Sequence, residues 1–203
     1  MILESIVTTI SADGSINIAP MGPHFKDEPA NPTIDFFELR PFTTSQTFQN
    51  IKVTGCGVLH VTDDALLFAR AAIGKLENQP DTHPAKKIHG SILSDCCRWY
   101  EFTAKFLESS SNRATIQCQV VASGRNRDFF GFNRAKHAVI EAAILATRVD
   151  FIPVDAILEQ MIPLRTIVEK TGGAGEHEAF ELLEQYVSRQ TGLKEKAQAG
   201  NEA

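Results

Sequence analysis

The sequence predicts an α+β protein in which an antiparallel β-sheet or barrel comes first and a group of helices comes last. Three observations support this order. Residues 4–11 and 16–18 favour strands on either side of Asp13-Gly14, a strong two-residue hairpin signal. Residues 100–106 and 116–122 alternate apolar and polar side chains around a polar turn, which predicts a long hairpin with one buried face. From Asn133 onward the apolar residues recur at helical spacing.

The remaining elements follow from local signals in chain order. Residues 34–39 and 57–61 favour strands, and the polar stretch 76–90 predicts an exposed loop. The predicted helices are 47–51, capped by Thr44 or Ser45; 65–73, after the cap cluster Thr62-Asp63-Asp64; 133–148, capped by Asn133; and two near 155–170 and 176–191. Two regions are therefore expected: a β-rich domain over residues 1–130 and a helical region over residues 131–203.

Composition excludes several classes of protein. The 203 residues are 43% hydrophobic, which is ample for one core, and the formal net charge of -5 argues against a nucleic-acid partner. No apolar run approaches twenty residues, and the N-terminus lacks the features of a signal peptide, so we expect a cytoplasmic protein without a membrane segment. The four cysteines, Cys56, Cys96, Cys97 and Cys118, are expected to be free buried thiols.

One segment has the side chains that a phosphate group requires. Arg40, Thr43, Thr44, Ser45 and Thr47 place a positive charge and four hydroxyls around a probable helix start, where unpaired backbone N–H groups attract anions. Thr44 or Ser45 could instead only cap the helix, with Arg40 on the surface. Composition alone leaves both interpretations open.

The end of the second predicted strand is a candidate contact for a flat ring. Pro20 has no N–H group, and Gly22 permits close backbone approach beside Met21. An aromatic ligand could lie along such a strand end, with main-chain N–H groups facing its heteroatoms. The alternative is a strand that simply ends in a turn.

The start of the helix at Asn133 is a third candidate. Three phenylalanines at 129, 130 and 132 precede Arg134, Lys136 and His137, and the segment could line a ligand pocket or a dimer interface. His137 and Glu141 are spaced to pair on one helix face, which is a weak metal signal, so no metal site is predicted. The glycines at 172, 173 and 175 do not follow a strand and lack a Lys-Ser/Thr sequence, so they indicate a helix linker.

The first part of the chain resembles the FMN-binding split-barrel superfamily, which includes flavin reductase-like and pyridoxamine-phosphate-oxidase-like proteins. The resemblance is carried by Ile6–Gly22, a strand–turn–strand opening with a proline-containing edge, and by Ser45–Ile51, which is similar to the segment that binds the FMN phosphate. It covers about residues 1–75. The helix from Phe130 onward is similar to an uncharacterised prokaryotic branch with an added C-terminal helical region.

The resemblance implies an antiparallel six-stranded split β-barrel with peripheral helices and a homodimer with FMN at the subunit interface. By this resemblance Thr43, Ser45 and Thr47 are phosphate ligands, with Arg40 as a charge partner; Pro20, Met21 and Gly22 lie near the isoalloxazine. Thr44 and Asn50 belong to the same cofactor-binding segment. Arg134, Lys136 and His137 are candidates for a second wall or a substrate contact. The arginines and lysines of a pyridoxal-phosphate site are not evident.

These features predict an FMN-binding protein, with a flavin-dependent oxidoreductase acting on an unknown small substrate as the leading hypothesis. Two other hypotheses remain open at this stage. One is a flavin carrier or sensor without turnover, and the other is a dimeric interaction protein without cofactor.

Overall fold

The structure is a computed structural model that describes residues 1–26, 34–76, 78–110 and 112–201, without the side chains of 106–110 and 191–201. Its strands are β1 Ser5–Ile10, β2 Ile16–Met21, β3 Phe36–Leu39, β4 Cys56–Val61, β5 Thr82–Pro84, β6 Ser91–Leu93, β7 Arg98–Ser110 and β8 Arg113–Arg125. Its helices are α1 Gln46–Thr54, α2 Ala65–Ala72, α3 Arg134–Ala146, α4 Val154–Thr171 and α5 Ala174–Asn201. The predicted α+β class is confirmed, with α3, α4 and α5 following the last strand.

The described residues form two compact units, one within 1–63 and 78–129 and the other within 64–77 and 130–203. The β-rich domain predicted over residues 1–130 includes α2. In the structure α2 belongs to the helical unit, because its buried residues Ala65 and Ala69 are part of the same apolar cluster as the later helices.

The β-rich unit contains a six-stranded antiparallel sheet in the order β2-β1-β4-β7-β8-β3. The two end strands approach each other at His24, which follows β2 and forms a backbone bridge with Glu38 on β3, and a second bridge with Ile2 ahead of β1. The His24 N–H donates to the Glu38 carbonyl at 2.8 Å, and the Glu38 N–H donates back at 3.0 Å. The sheet ends therefore approach each other through a single extended segment.

Strand β1 is buried on both faces. Every residue from Ser5 to Ile10 is buried, which β-strand geometry allows only if both sides of the pleat are covered. Val7 belongs to the main apolar core of the sheet, together with Leu59 and Phe102. On the other face the Thr8 hydroxyl donates to the Ser91 carbonyl at 2.5 Å.

The polar stretch 76–90 was predicted as an exposed loop; none of its described residues is buried, but it contains the short strand β5. Strand β5 pairs with β6 in a second, two-stranded sheet, and β6 is buried. The sequence did not predict this strand, because it pairs with β6 over only three residues and contains His83 and Pro84, which are not typical of strands.

The helical unit has the apolar face that the helical spacing after Asn133 predicted, and on α3 this face is rich in alanine. Buried residues of α3, at 135, 138, 139, 142, 143 and 146, pack in one cluster with buried residues of α4 and α5, including Ile157, Met161 and Leu183. Small side chains on α3 permit close helix packing, and the stripe at helical spacing is confirmed as core. None of the helices in the described part of the chain is long and apolar enough to cross a membrane.

Candidate functional site

Helix α1 begins at a side-chain cap. Ser45 has extended backbone angles, and its Oγ accepts a hydrogen bond from the Phe48 N–H at 3.2 Å while donating to the Phe42 carbonyl at 2.8 Å. Ser45 is therefore the N-cap that the sequence predicted as one of two possibilities. The N–H groups of Gln46 and Thr47 lie in the first turn, where an α-helix has no acceptor of its own. This end of the helix can receive an anion.

The turn before α1 is attached to the distal end of the long hairpin. The Thr43 N–H donates to the Asn112 carbonyl at 3.0 Å, and the Gln49 side chain donates to the Thr43 carbonyl at 2.7 Å. Thr44 is exposed. The backbone of this turn is thus fixed from two sides, while the hydroxyl of Thr44 stays on the surface.

Thr47 and Asn50 are buried, unlike Thr44. The Thr47 hydroxyl accepts from Asn17 Nδ2 on β2 at 3.0 Å. Asn50 Nδ2 donates to the hydroxyls of Thr9, at 3.0 Å, and Ser11, at 3.2 Å, and Asn17 Nδ2 also lies 3.2 Å from the Thr9 hydroxyl. These polar side chains join α1 to the β1–β2 hairpin. In this arrangement the side chains of Thr47 and Asn50 hold the helix in place.

The guanidinium of Arg40 is already paired. Its Nε lies 2.5 Å from Glu38 Oε1, and 52% of the arginine side chain is exposed. This pair also affects His24. Burial and the Arg40 charge lower the pKa of the His24 imidazole, whereas the Glu38 charge raises it. Arg40 therefore lies close to the turn in sequence, but its charge is balanced by an adjacent carboxylate.

A second arginine, Arg113, reaches the same turn and was not singled out by sequence reasoning. Its guanidinium carbon lies 3.9 Å from the centre of the Phe42 ring, and its Nη1 donates to the Arg40 carbonyl at 2.9 Å. Arg113 and Phe42 also form a backbone bridge. Arg113 is 73 residues from Arg40, so no local pattern could have paired it with the turn.

The end of β2 lies at one edge of the six-stranded sheet. Pro20 is paired with Ile6, and the Met21 carbonyl accepts a hydrogen bond of 2.6 Å from the Ser5 hydroxyl. An added Cβ at Gly22 would meet the Ile2 Cγ2 methyl at 2.9 Å. A side chain at position 22 would have to displace the Ile2 methyl, so the contact with Ile2 favours glycine independently of any ligand.

The three candidates for a second wall lie on the first turns of α3 in the helical unit. Asn133 caps this helix, with its Oδ1 accepting from the Lys136 N–H at 3.1 Å. Arg134 and His137 are exposed, and the His137 ring lies 6.0 Å from that of Phe132. Within the described residues His137 forms no ion pair with Glu141, although their spacing suggested one. A role for Arg134, Lys136 and His137 beside a flavin stays a prediction.

Two buried titratable side chains anchor the β5–β6 hairpin. His60 Nδ1 donates to the Ile6 carbonyl at 3.3 Å and its Nε2 accepts from the Leu93 N–H at 3.1 Å, so the imidazole is neutral. Burial lowers the pKa of His60 to about 3. The carboxylate of Glu101 is fully buried and accepts from the Lys86 and Lys87 N–H groups, each at 2.7 Å.

An ionic cluster lies near the ends of β4 and β8. Arg127 donates to Asp63 at 2.5 Å and to Asp95 at 2.6 Å. All four cysteines are free and buried, as predicted, and burial is the main cause that raises the pKa of the Cys97 thiol beside Arg127. The contacts of Arg127 with Asp63, Asp95 and Cys97 all lie within the β-rich unit and stabilise it.

The six-stranded antiparallel sheet, with helix α1 beginning at Ser45, matches the flavin reductase-like fold. Residues 3–127 match the model of the N-terminal domain of a protein of unknown function, DUF447, and residues 133–185 match a second DUF447 model. The chain belongs to the DUF447 family. None of the curated proteins compared with it matches.

Solved structures agree with this assignment. An FMN-bound protein of the DUF447 family from Methanosarcina mazei superposes with a TM-score of 0.77 at 24% identity, covering 91% of this chain and 94% of that one. Flavoredoxin from Methanosarcina acetivorans gives 0.50 at 8% identity, over 63% of this chain and 74% of that one. The 2-nitrobenzoate 2-nitroreductase of Pseudomonas fluorescens gives 0.48 at 18% identity, over 60% and 64%. The predicted fold is confirmed.

Proposed function

We propose that this protein binds FMN and uses the flavin for electron or hydride transfer. The observation that carries the proposal is the attachment of the α1 start to the β1–β2 hairpin through Asn17, Thr47 and Asn50. This attachment fixes a site for an anion and a strand edge for a planar ring in one rigid arrangement. The FMN-bound relative from Methanosarcina mazei, with the same fold over 91% of this chain, supports the choice of ligand.

The phosphate would bind at the turn of residues 43–47. Donors there are the first-turn N–H groups of α1 and the exposed hydroxyl of Thr44, while Ser45 caps the helix and Thr43 and Thr47 hold the backbone. A dianionic phosphate at a helix N-terminus is stabilised by these N–H groups and by the helix dipole. The residues present therefore fit the phosphate of FMN.

The ring would lie along the end of β2. Pro20, Met21 and Gly22 are half-buried at the sheet edge, where one side of the strand has no partner among the described strands. A bound flavin supplies the redox chemistry, while the protein binds it, orients it and sets its surroundings. We further propose a homodimer with FMN at the subunit interface, in which Arg134, Lys136 and His137 contribute to the substrate side.

Flavin binding is tested by purifying the full chain and recording its absorbance before and after added FMN. We expect flavin absorbance and its loss on reduction by NAD(P)H. Bound FMN that NAD(P)H does not reduce would favour a carrier or sensor. Protein that is colourless and does not bind added FMN would contradict the proposal.

The phosphate site is tested with Ser45→Ala, which removes one hydroxyl and the helix cap. We expect FMN affinity to fall about tenfold, because loss of the cap loosens the first-turn N–H groups, and a hydrogen bond from such a group to a charged phosphate contributes roughly 1.5–3 kcal/mol. Asp64→Ala is the matched control, since Asp64 caps α2 through the Leu67 N–H and should lower stability without weakening FMN binding. Equal FMN affinity in Ser45→Ala and wild type would contradict the placement of the phosphate at this turn. Light scattering of the purified protein tests the dimer.

A further inference from the structure

Arg113 is held at the turn before α1 by two contacts of different kinds. Its guanidinium carbon lies 3.9 Å above the ring of Phe42, and its Nη1 donates to the Arg40 carbonyl at 2.9 Å. Stacking on an aromatic face fixes the plane of a guanidinium, and the hydrogen bond fixes its position. The exposed side chain of Arg113 is thus ordered without a carboxylate.

The charge of Arg113 is not balanced within the part of the chain that the structure describes. Its Nε and Nη2 donate to no described residue, and Arg113 takes part in no ion pair there. Three other arginines of the β-rich unit differ: Arg40 pairs with Glu38, Arg125 with Asp128, and Arg127 with two aspartates. Arg113 therefore retains both its positive charge and one edge of N–H donors.

Phe42 connects this arginine to the helix cap. The Phe42 ring lies under the guanidinium, and the Phe42 carbonyl accepts hydrogen bonds from both the N–H and the hydroxyl of Ser45. The same residue therefore positions the cation and the start of α1. A change in the position of Phe42 would move both together.

We propose that Arg113 binds the phosphate group of FMN and that Arg40, which sequence reasoning favoured, does not. The inference rests on the proposed function, since it assumes that FMN binds at this turn. The planar guanidinium can present two parallel N–H groups to phosphate oxygens, and its contact with Phe42 leaves that edge unused. Arg40 would have to give up Glu38 at 2.5 Å to do the same.

The test compares binding of FMN with binding of riboflavin, which has the same ring but no phosphate. Four variants are titrated by flavin fluorescence: Arg113→Gln, Arg113→Lys, Arg40→Gln and, as a matched control on the same strand, Arg125→Gln. We expect Arg113→Gln to weaken FMN binding roughly tenfold or more while riboflavin affinity stays within twofold of wild type. Arg113→Lys should lose less, because it keeps the charge but not the two-pronged geometry.

The outcomes separate this inference from the proposed function. If the wild type binds FMN and Arg113→Gln binds it equally well, or if Arg40→Gln weakens FMN binding as much as Arg113→Gln, only the assignment of Arg113 is overturned. Equal losses for FMN and riboflavin would also overturn it, since the effect would then not depend on phosphate. A wild type that binds neither flavin overturns the proposed function and this inference with it.

Discussion

Asn17 on β2 donates a hydrogen bond of 3.0 Å to the hydroxyl of Thr47 on α1. The same amide nitrogen lies 3.2 Å from the Thr9 hydroxyl, which also accepts from Asn50. Side chains thus connect the helix to the hairpin at a place where backbone hydrogen bonds cannot. Buried polar groups in such a network stabilise strongly when each one is satisfied, and their removal leaves unpaired partners.

The first prediction concerns this network. We expect Asn17→Ala and Thr47→Val each to lower the free energy of unfolding by about 1–2 kcal/mol, and the double variant to lose about 1 kcal/mol less than the sum. Urea unfolding of the four proteins measures this coupling. Asp13→Ala, at the tip of the same hairpin, is the control and should add to Thr47→Val independently. Additive effects of Asn17→Ala and Thr47→Val would show that the hydrogen bond contributes nothing.

The second prediction is a dependence of stability on pH through His60. The pKa of His60 is about 3 in the folded protein, against an ordinary value of 6.5. Below pH 6.5 the unfolded chain takes up a proton that the folded chain excludes, so stability decreases as pH falls from about 6.5 toward 3. The maximal contribution of one such group is about 1.4 kcal/mol per pH unit.

His60→Asn isolates this contribution, because asparagine can keep a donor and an acceptor but does not titrate. We expect the unfolding free energy of His60→Asn to depend less steeply on pH between 6 and 4 than that of wild type. His89→Asn, which changes an exposed histidine, should leave the slope as it is. An unchanged slope in His60→Asn would mean that the imidazole is protonated in the folded state.

The third prediction uses the two aspartates that share Arg127. The side chain of Asp63 is 5% exposed and that of Asp95 is 75% exposed. Removing the buried charge leaves Arg127 without its shielded partner, whereas an exposed ion pair contributes little. We expect Asp63→Asn to cost about 2 kcal/mol of stability and Asp95→Asn less than about 0.5 kcal/mol. Similar costs in thermal and urea unfolding would contradict this order.

The fourth prediction concerns Glu101, whose two oxygens each accept one backbone N–H. Glu101→Ala would leave the N–H groups of Lys86 and Lys87 unpaired, at about 1–3 kcal/mol each. Hydrogen exchange should accelerate at these two amides, and Glu101→Gln should have a smaller effect because one oxygen remains. Glu141→Ala, at an exposed position of α3, is the control. Unchanged exchange at Lys86 and Lys87 in Glu101→Ala would show that the Glu101 carboxylate does not protect these amides.

Local signals in the sequence were sufficient for most elements of the fold. Asp13-Gly14 between alternating residues predicts the β1–β2 hairpin, Ser45 marks the start of α1, and Asn133 marks the start of α3. Each of these signals acts over a few residues, so it can be interpreted without knowledge of the partners. Strand β5 was missed because its pairing with β6 is very short and its composition resembles a loop.

The candidate site was only partly predictable for the same reason. The helix start at Ser45 was recognised, but whether Thr47 faces a ligand or the interior depends on Asn17, thirty residues earlier in the chain. Arg40 was favoured because it is adjacent in sequence. Glu38 neutralises it, and Arg113 reaches the turn because β8 pairs with β3, an arrangement continued by the backbone bridge between Arg113 and Phe42. Charge balance is a property of the folded chain, and local sequence patterns do not reveal it.

The burial of β1 on both faces has a consequence for the evolution of this family. The six residues from Ser5 to Ile10 are all enclosed, whereas in β2 only Ile18 is. A larger side chain in β1 has no direction in which to expand, and a smaller one leaves a void. Across homologous sequences, side-chain volume should therefore vary less at positions 5–10 than at positions 16–21.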